Sequence, residues 1–168
     1  FIEQPFLGYK QQKNFAVAQA KYNYVLSLDG DEALSNELIR SILEVKKDFN
    51  YDGYYVNRFN NYCGQWIKYS NWYPDRKLRL FKKGKGYWGG INPHDNFKMF
   101  FETKTAILKG DLLHWNYATY EEFDLKTDHF SSISAQSYYD LGRKAPIWRL
   151  IVHSSWSFFK SYILRKGF

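Results

Sequence analysis

The spacing of apolar and polar positions changes along this chain, and each change predicts a different element. Across residues 8–21, Phe15, Val17, Ala18 and Ala20 supply an apolar side and Lys10, Gln11, Lys13 and Asn14 a polar one, which predicts a helix. Tyr24-Val25-Leu26-Ser27-Leu28 is a short apolar run that suits a buried strand. It ends in the acidic loop Asp29-Gly30-Asp31-Glu32, and Ser35 follows as an N-cap. Leu38, Ile39, Ile42, Leu43 and Val45 then recur at helical spacing to about Phe49. Strand, acidic loop and capped helix make an α/β unit.

The middle of the chain reads as strands. Gly53 to Phe59 is aromatic and β-branched, Asn60 to Gly64 is a turn, and Gln65 to Tyr69 is a return strand. Residues 77–82 alternate charged and apolar positions with period 2, and Lys83-Gly84-Lys85-Gly86 is a turn. Residues 103–108 and 111–115 predict two strands around Lys109-Gly110. Thr119 and Glu122 then have the spacing of a capping box, opening a helix that runs to about Leu141 with Gly142 as its stop. Residues 143–168 form a separate unit. Apolar positions such as Trp148, Ile151, Trp156 and Phe159 are interrupted by Arg149, His153 and Lys160, and Arg143, Lys144, Arg165 and Lys166 flank them. That pattern is too broken for a membrane span and suits either a helix in the membrane interface or one docked on protein.

Composition adds three constraints. Six Trp, fifteen Tyr and fourteen Phe exceed what the core of a 168-residue chain needs, so some line a groove or interface. A net charge of +7 favours anionic partners. One cysteine, Cys63, excludes a disulfide framework and fits a cytoplasmic compartment. Phe1 stands first and Met99 is the only methionine, so further sequence is expected upstream.

Candidate chemistry begins with Asp29 and Asp31 at the carboxyl end of the first strand, where α/β sheets bind ligands. Hard oxygen ligands there suit Mg²⁺ or Mn²⁺ on nucleotide phosphates, and the competing reading is an acidic helix-capping turn. Three later clusters stay ambiguous taken singly: residues 72–81 (WYPDRKLRLF), 89–95 (GGINPHD) and 112–117 (LLHWNY). There is no phosphate-binding loop, dinucleotide fingerprint or zinc spacing.

Taken in order, these segments resemble a known family. Tyr24 to Ser35 (YVLSLDGDEALS) is similar to the metal-binding segment of family 2 glycosyltransferases. Gly53 to Phe81, and His114-Trp115-Asn116-Tyr117 before a helix carrying Lys126, resemble the lipopolysaccharide-core beta-1,4-glucosyltransferase-like subgroup. The resemblance implies a GT-A fold, an α/β mixed sheet flanked by helices over residues 1–142, with the family's first strands missing and a basic amphipathic helical extension over 143–168. It implies an inverting transfer of a hexose from a nucleotide-diphosphate sugar to a lipopolysaccharide-core, lipid-linked or polysaccharide acceptor, at the cytoplasmic face of a membrane with peripheral contact and without nucleic acid. Asp31 and His114 would ligate the divalent metal, and Asp29 would contact the ribose or a water on the metal. Asp95 would be the base, in a His94-Asp95 pair where the subgroup commonly has His-Glu, with Asp75 as its rival. Lys13, Arg76 and Arg79 are candidates to assist at the diphosphate. Trp72, Tyr73 and Asp75 would hold the acceptor, Trp88 joining the stacking platform or packing under a hairpin. The alternative to a transferase is a non-catalytic domain that binds glycan or single-stranded nucleic acid through its basic aromatic surface.

Overall fold

The computed structural model describes residues 2–91 and 94–167. A mixed sheet organises them. Its strands are β1 (Tyr24–Leu26), β2 (Glu32–Leu34), β3 (Gly53–Tyr62), β4 (Gln65–Trp66), β5 (Asp75–Lys82) and β8 (Thr105–Tyr117). The order is β1-β5-β3-β8-β2, with β4 paired to the end of β3. β3 and β8 run parallel, and every other pairing in this sheet is antiparallel. A separate hairpin joins β6 (Gly86–Ile91) and β7 (His94–Met99). Of the ambiguous 89–95 cluster, Gly89 to Ile91 end β6 and His94-Asp95 begin β7, while Asn92 and Pro93 lie outside the described residues. Its glycines and polar positions carry no clean alternation, which hides the hairpin from a pattern reading.

Both sheet faces are covered, for different reasons. On one face lies α2 (Asn36–Val45), whose apolar stripe follows from the spacing Leu38, Ile42, Val45. Leu38 and Leu112 are fully buried there, beside Tyr54, Val56, Leu80 and Leu108. Each such side chain contributes about 1.5–3 kcal/mol. On the other face the hairpin supplies Trp88 and Phe97 against Leu78 and Phe81. Despite the alternation of charged and apolar positions over residues 77–82, Leu78 to Phe81 are all buried under this second cover, Arg79 included.

Ser35 caps α2 as predicted, accepting from Leu38 N, and it also accepts from Asp111 N of β8 at 3.0 Å. The two strands predicted around Gly110 are one strand. β8 passes the start of α2 so closely that a Cβ on Gly110 would overlap Leu38 N, and Gly110 has φ +88°. Only glycine fits that close approach. The acidic loop was expected to lead straight into α2; instead Glu32 to Leu34 pair with β8, Glu32 opposite His114.

Helix α1 (Tyr9–Gln19) lies against the hairpin. Asn14 exchanges both amide bonds with the Trp88 backbone, at 2.8 and 2.9 Å, in place of a strand neighbour. Helix α3 (Tyr120–Asp140) starts at a true side-chain cap: Thr119 accepts from Glu122 N, and the Glu122 carboxylate accepts from Ala118 N. Helix α4 (Ile147–Phe159) continues into a π-helical turn over Lys160–Leu164 and leaves Trp148, Ile151, Trp156 and Phe158 exposed. Among the described residues no helix is long and apolar enough to cross a membrane.

Candidate active site

A cleft of about 860 Å³ opens between the sheet, α1, the hairpin and α3. The end of β1 delivers Asp29 and Asp31, β5 delivers Arg79, β7 delivers Asp95, β8 delivers His114 and α1 delivers Lys13. These residues are scattered across the sequence, and the topology brings all six to one cavity.

Arg79 anchors the ionic network. It is 3% exposed and donates to Asp29 at 2.8 Å and, through a short contact, to Glu32. Glu32 has no exposed side-chain area, and its other carboxylate oxygen accepts from Asp29 N at 3.0 Å. Glu32 thus braces the Asp29 turn from behind. Burial by itself raises the Asp29 pKa, but the Arg79 and Lys13 charges outweigh it and hold this carboxyl below its ordinary value. Burial likewise works against the Arg79 charge, and Glu32 and Asp29 reverse that effect. Lys13 reaches Asp29 at 3.1 Å and Asp95 at 3.0 Å, with its ammonium 4.4 Å from the centre of the Trp88 ring.

His114 and Asp31 meet on the opposite side. His114 Nε2 lies 3.4 Å from an Asp31 oxygen. The other ring nitrogen, Nδ1, is 2.6 Å from Asn60 Oδ1, and Asn60 Nδ2 donates to Trp72 O. The Trp72 carbonyl settles which way the Asn60 amide faces, so its oxygen accepts the Nδ1 proton. Burial and the Arg58 charge push the His114 pKa down against the opposing pull of Asp31. With Nδ1 donating to Asn60, Nε2 is the ring atom that faces the Asp31 carboxylate, and the lowered pKa favours the neutral ring there. Among the described residues no three His, Cys, Asp or Glu side chains converge as a closed cage. Asp31 and His114 could supply one oxygen and one nitrogen to a divalent ion, a donor pair better matched to Mn²⁺ than to Mg²⁺, with phosphates and water filling the other positions.

The acceptor residues expected from the sequence do not line this cleft. Trp72 packs edge-on against Tyr62, and Tyr73 packs against Phe59 and donates to Asp111 at 2.9 Å. The Asp75 carboxylate, the rival base, is held by Arg58 at 2.7 Å and Lys77 at 3.1 Å. The reason is the β3–β5 pairing, which sets Asp75 opposite Arg58 and carries the 69–74 loop past the end of the sheet. Trp88 does line the cleft, buried under the hairpin with Lys13 over its face. The aromatic rim comes instead from Tyr9, Tyr117 and Phe130. Glu32, read as part of the acidic loop, Asn60, read as part of a turn, and Arg58 were missed as site residues because their roles come from strand pairing that no local pattern shows.

A curled mixed α/β sheet flanked by helices is consistent with a GT-A fold. The profile of the family described as Glycosyl transferase family 2 matches residues 1–109, and the chain belongs to that family. An uncharacterized glycosyltransferase of Rickettsia prowazekii (strain Madrid E) is 29% identical over 99% of this chain and 61% of its own length. Its counterpart in Rickettsia typhi (strain Wilmington) is 31% identical with the same coverage. The lipopolysaccharide core biosynthesis glycosyltransferase LpsC of Rhizobium meliloti (strain 1021) is 28% identical over 90% of this chain and 56% of its own. The chain thus spans about three fifths of the length of these relatives. No solved structure gives a significant match.

Proposed function

We propose that this chain carries the reaction centre of an inverting glycosyltransferase that moves a hexose from a nucleotide-diphosphate sugar to a lipopolysaccharide-core, lipid-linked or polysaccharide acceptor. One observation carries the reading: Asp31, His114, Asp29, Arg79, Lys13 and Asp95 face a single cleft. The name of the Rhizobium relative supports the choice of acceptor class.

Each group then has a task. Asp31 and His114 would hold a divalent cation, which would supply charge neutralisation for the departing diphosphate. Asp29, held by Arg79 and Lys13, would contact the ribose or a water on the metal. Asp95 takes the proton of the acceptor hydroxyl as that oxygen attacks the anomeric carbon, and a single displacement inverts the configuration there. The Lys13 ion pair keeps the Asp95 carboxylate oriented into the cleft. Tyr9, Tyr117 and Phe130 offer ring faces for the acceptor sugar in place of Trp72 and Tyr73. Peripheral contact with the cytoplasmic face of a membrane, through the basic and apolar α4 segment, belongs to the same proposal.

The test is turnover of a panel of nucleotide sugars by the full chain with Mn²⁺. D95N is expected to lose at least a hundredfold in kcat while still binding nucleoside diphosphate. D31N is expected to lose nucleotide and metal affinity together. Unchanged turnover in chelator, or in D95N, would sink the assignment.

A further inference from the structure

Most cations of the cleft are paired with carboxylates that line it or lie beside it. Lys13 and Arg79 pair with Asp29, Lys13 also with Asp95, Arg58 with Asp75 and Lys126 with Glu122. The surplus charge collects next door. A second groove, of about 590 Å³, is lined by Lys68, Tyr69, Arg76, Leu164, Arg165 and Lys166 among others, with no carboxylate among its described lining residues. None of its four cations makes an ion pair among the described residues. Arg76 lines both cavities, so the groove adjoins the reaction centre.

The groove is held together rather than being a chance of surface lysines. Ser70 N donates to Arg165 O at 3.0 Å, and Asn71 Nδ2 donates to Ser161 Oγ at 2.6 Å, tying the 67–74 loop to the π-helical turn. Ser70 and Lys166 both have positive φ, 63° and 51°, a conformation that costs side-chain-bearing residues energy and clusters at ligand sites. Tyr69 and Leu164 add ring and aliphatic surface between the charges. Four unneutralised cations on an aromatic floor match a phosphate group carried on a saccharide or amphiphile.

We infer that the Lys68–Arg76–Arg165–Lys166 groove binds a phosphate of the acceptor, seating an anionic acceptor with its reacting sugar in the adjoining cleft. The assignment of the neighbouring cavity to the acceptor rests on the transferase reading; the anion site itself does not. The phosphate can belong to the glycan or to a lipid headgroup, and two probes separate these sources.

The experiment uses the full chain at low salt. Inorganic phosphate is titrated while the Ser70 and Arg165 amide resonances are followed. In parallel, the protein is sedimented with vesicles of phosphatidylcholine containing roughly one quarter phosphatidylglycerol. Removing one cation is expected to weaken binding about fivefold, so K68Q loses about fivefold and R165Q/K166Q about 25-fold. All three side chains are exposed, so these variants leave the core intact. Saturable phosphate shifts that the variants lose support a glycan phosphate, and vesicle binding alone, lost in the variants, supports a headgroup. Absence of both responses, or binding that R165Q/K166Q retains in full, overturns the inference. Uridine diphosphate and Mn²⁺ binding is measured alongside, because Lys68, Arg165 and Lys166 lie outside the metal cleft. Failure there counts against the transferase reading and leaves the groove standing.

Discussion

Replacing Arg79 with methionine isolates the buried ionic network that holds the D-x-D turn. Arg79 is 3% exposed, and its strongest partner, Glu32, has no exposed side-chain area. With the guanidinium gone, the nearest remaining cation is Arg58, 3.8 Å from the same Glu32 oxygen. One long contact does not replace a buried charge-assisted hydrogen bond, so the cost approaches that of an uncompensated buried charge, about 3–5 kcal/mol. Asp29 is one third exposed and keeps Lys13, so its loss adds at most about 1 kcal/mol. Against a total stability of about 5–15 kcal/mol, R79M should remain folded only marginally, with a melting temperature lowered by roughly 6–20 °C. The double variant R79M/E32M removes both buried charges and is expected to recover at least about 2 kcal/mol relative to the sum of the single effects. Urea denaturation of the four proteins closes the cycle. A loss below about 1 kcal/mol in R79M, or strict additivity in the double variant, would refute the claim that this pair is buried and coupled.

Other predictions follow from neighbouring contacts. Asn60→Leu removes the acceptor that sets the His114 tautomer and should weaken Mn²⁺ binding in the presence of nucleoside diphosphate about 10–100-fold by calorimetry, with H114Q losing at least as much. Equal affinity in both variants and wild type would remove His114 from the metal site. The lowered pKa of His114 means that the unfolded chain binds its proton first. Its contribution is therefore complete above the unfolded value near 6.5 and is lost as pH falls from there toward the folded value. Denaturation midpoints should decline as pH falls below about 6.5 in wild type and flatten in H114Q. Asp29 acts at lower pH: its depressed pKa adds stability above about 3.8 that disappears as acid titrates it, an effect D29N should abolish. Gly110→Ala should cost more than about 2 kcal/mol, because a Cβ there meets the α2 backbone at positive φ, whereas Gly30→Ala faces open space and should be near neutral by thermal melting.

Much of the fold was legible because its cues are local. Periodic apolar positions announced α2, Ser35 and Thr119 announced helix starts, and an apolar run announced β1, which is a half-buried edge strand rather than the buried one expected. Residue chemistry in that order also pointed to the family whose profile matches residues 1–109. What the local pattern missed is long-range. The β6–β7 hairpin lacks alternation, β2 is three residues long, and Gly110 resembles a turn until α2 is packed against it.

The candidate site divides in the same way. Composition and spacing by themselves determined that carboxylates, a histidine and basic groups were available, and which strand end carried the aspartates. Only the tertiary structure decided which of them share a cavity. Parallel pairing of β3 with β8 sets Asn60 opposite His114, β2 then sets Glu32 opposite the same histidine, and α1 lays Lys13 between Asp29 and Asp95. The same pairings carry Trp72, Tyr73 and Asp75 away from the cleft. The physical reason is that a strand's register, one hydrogen bond at a time, decides which distant side chains become neighbours, and a single chain segment holds no record of its partner's register.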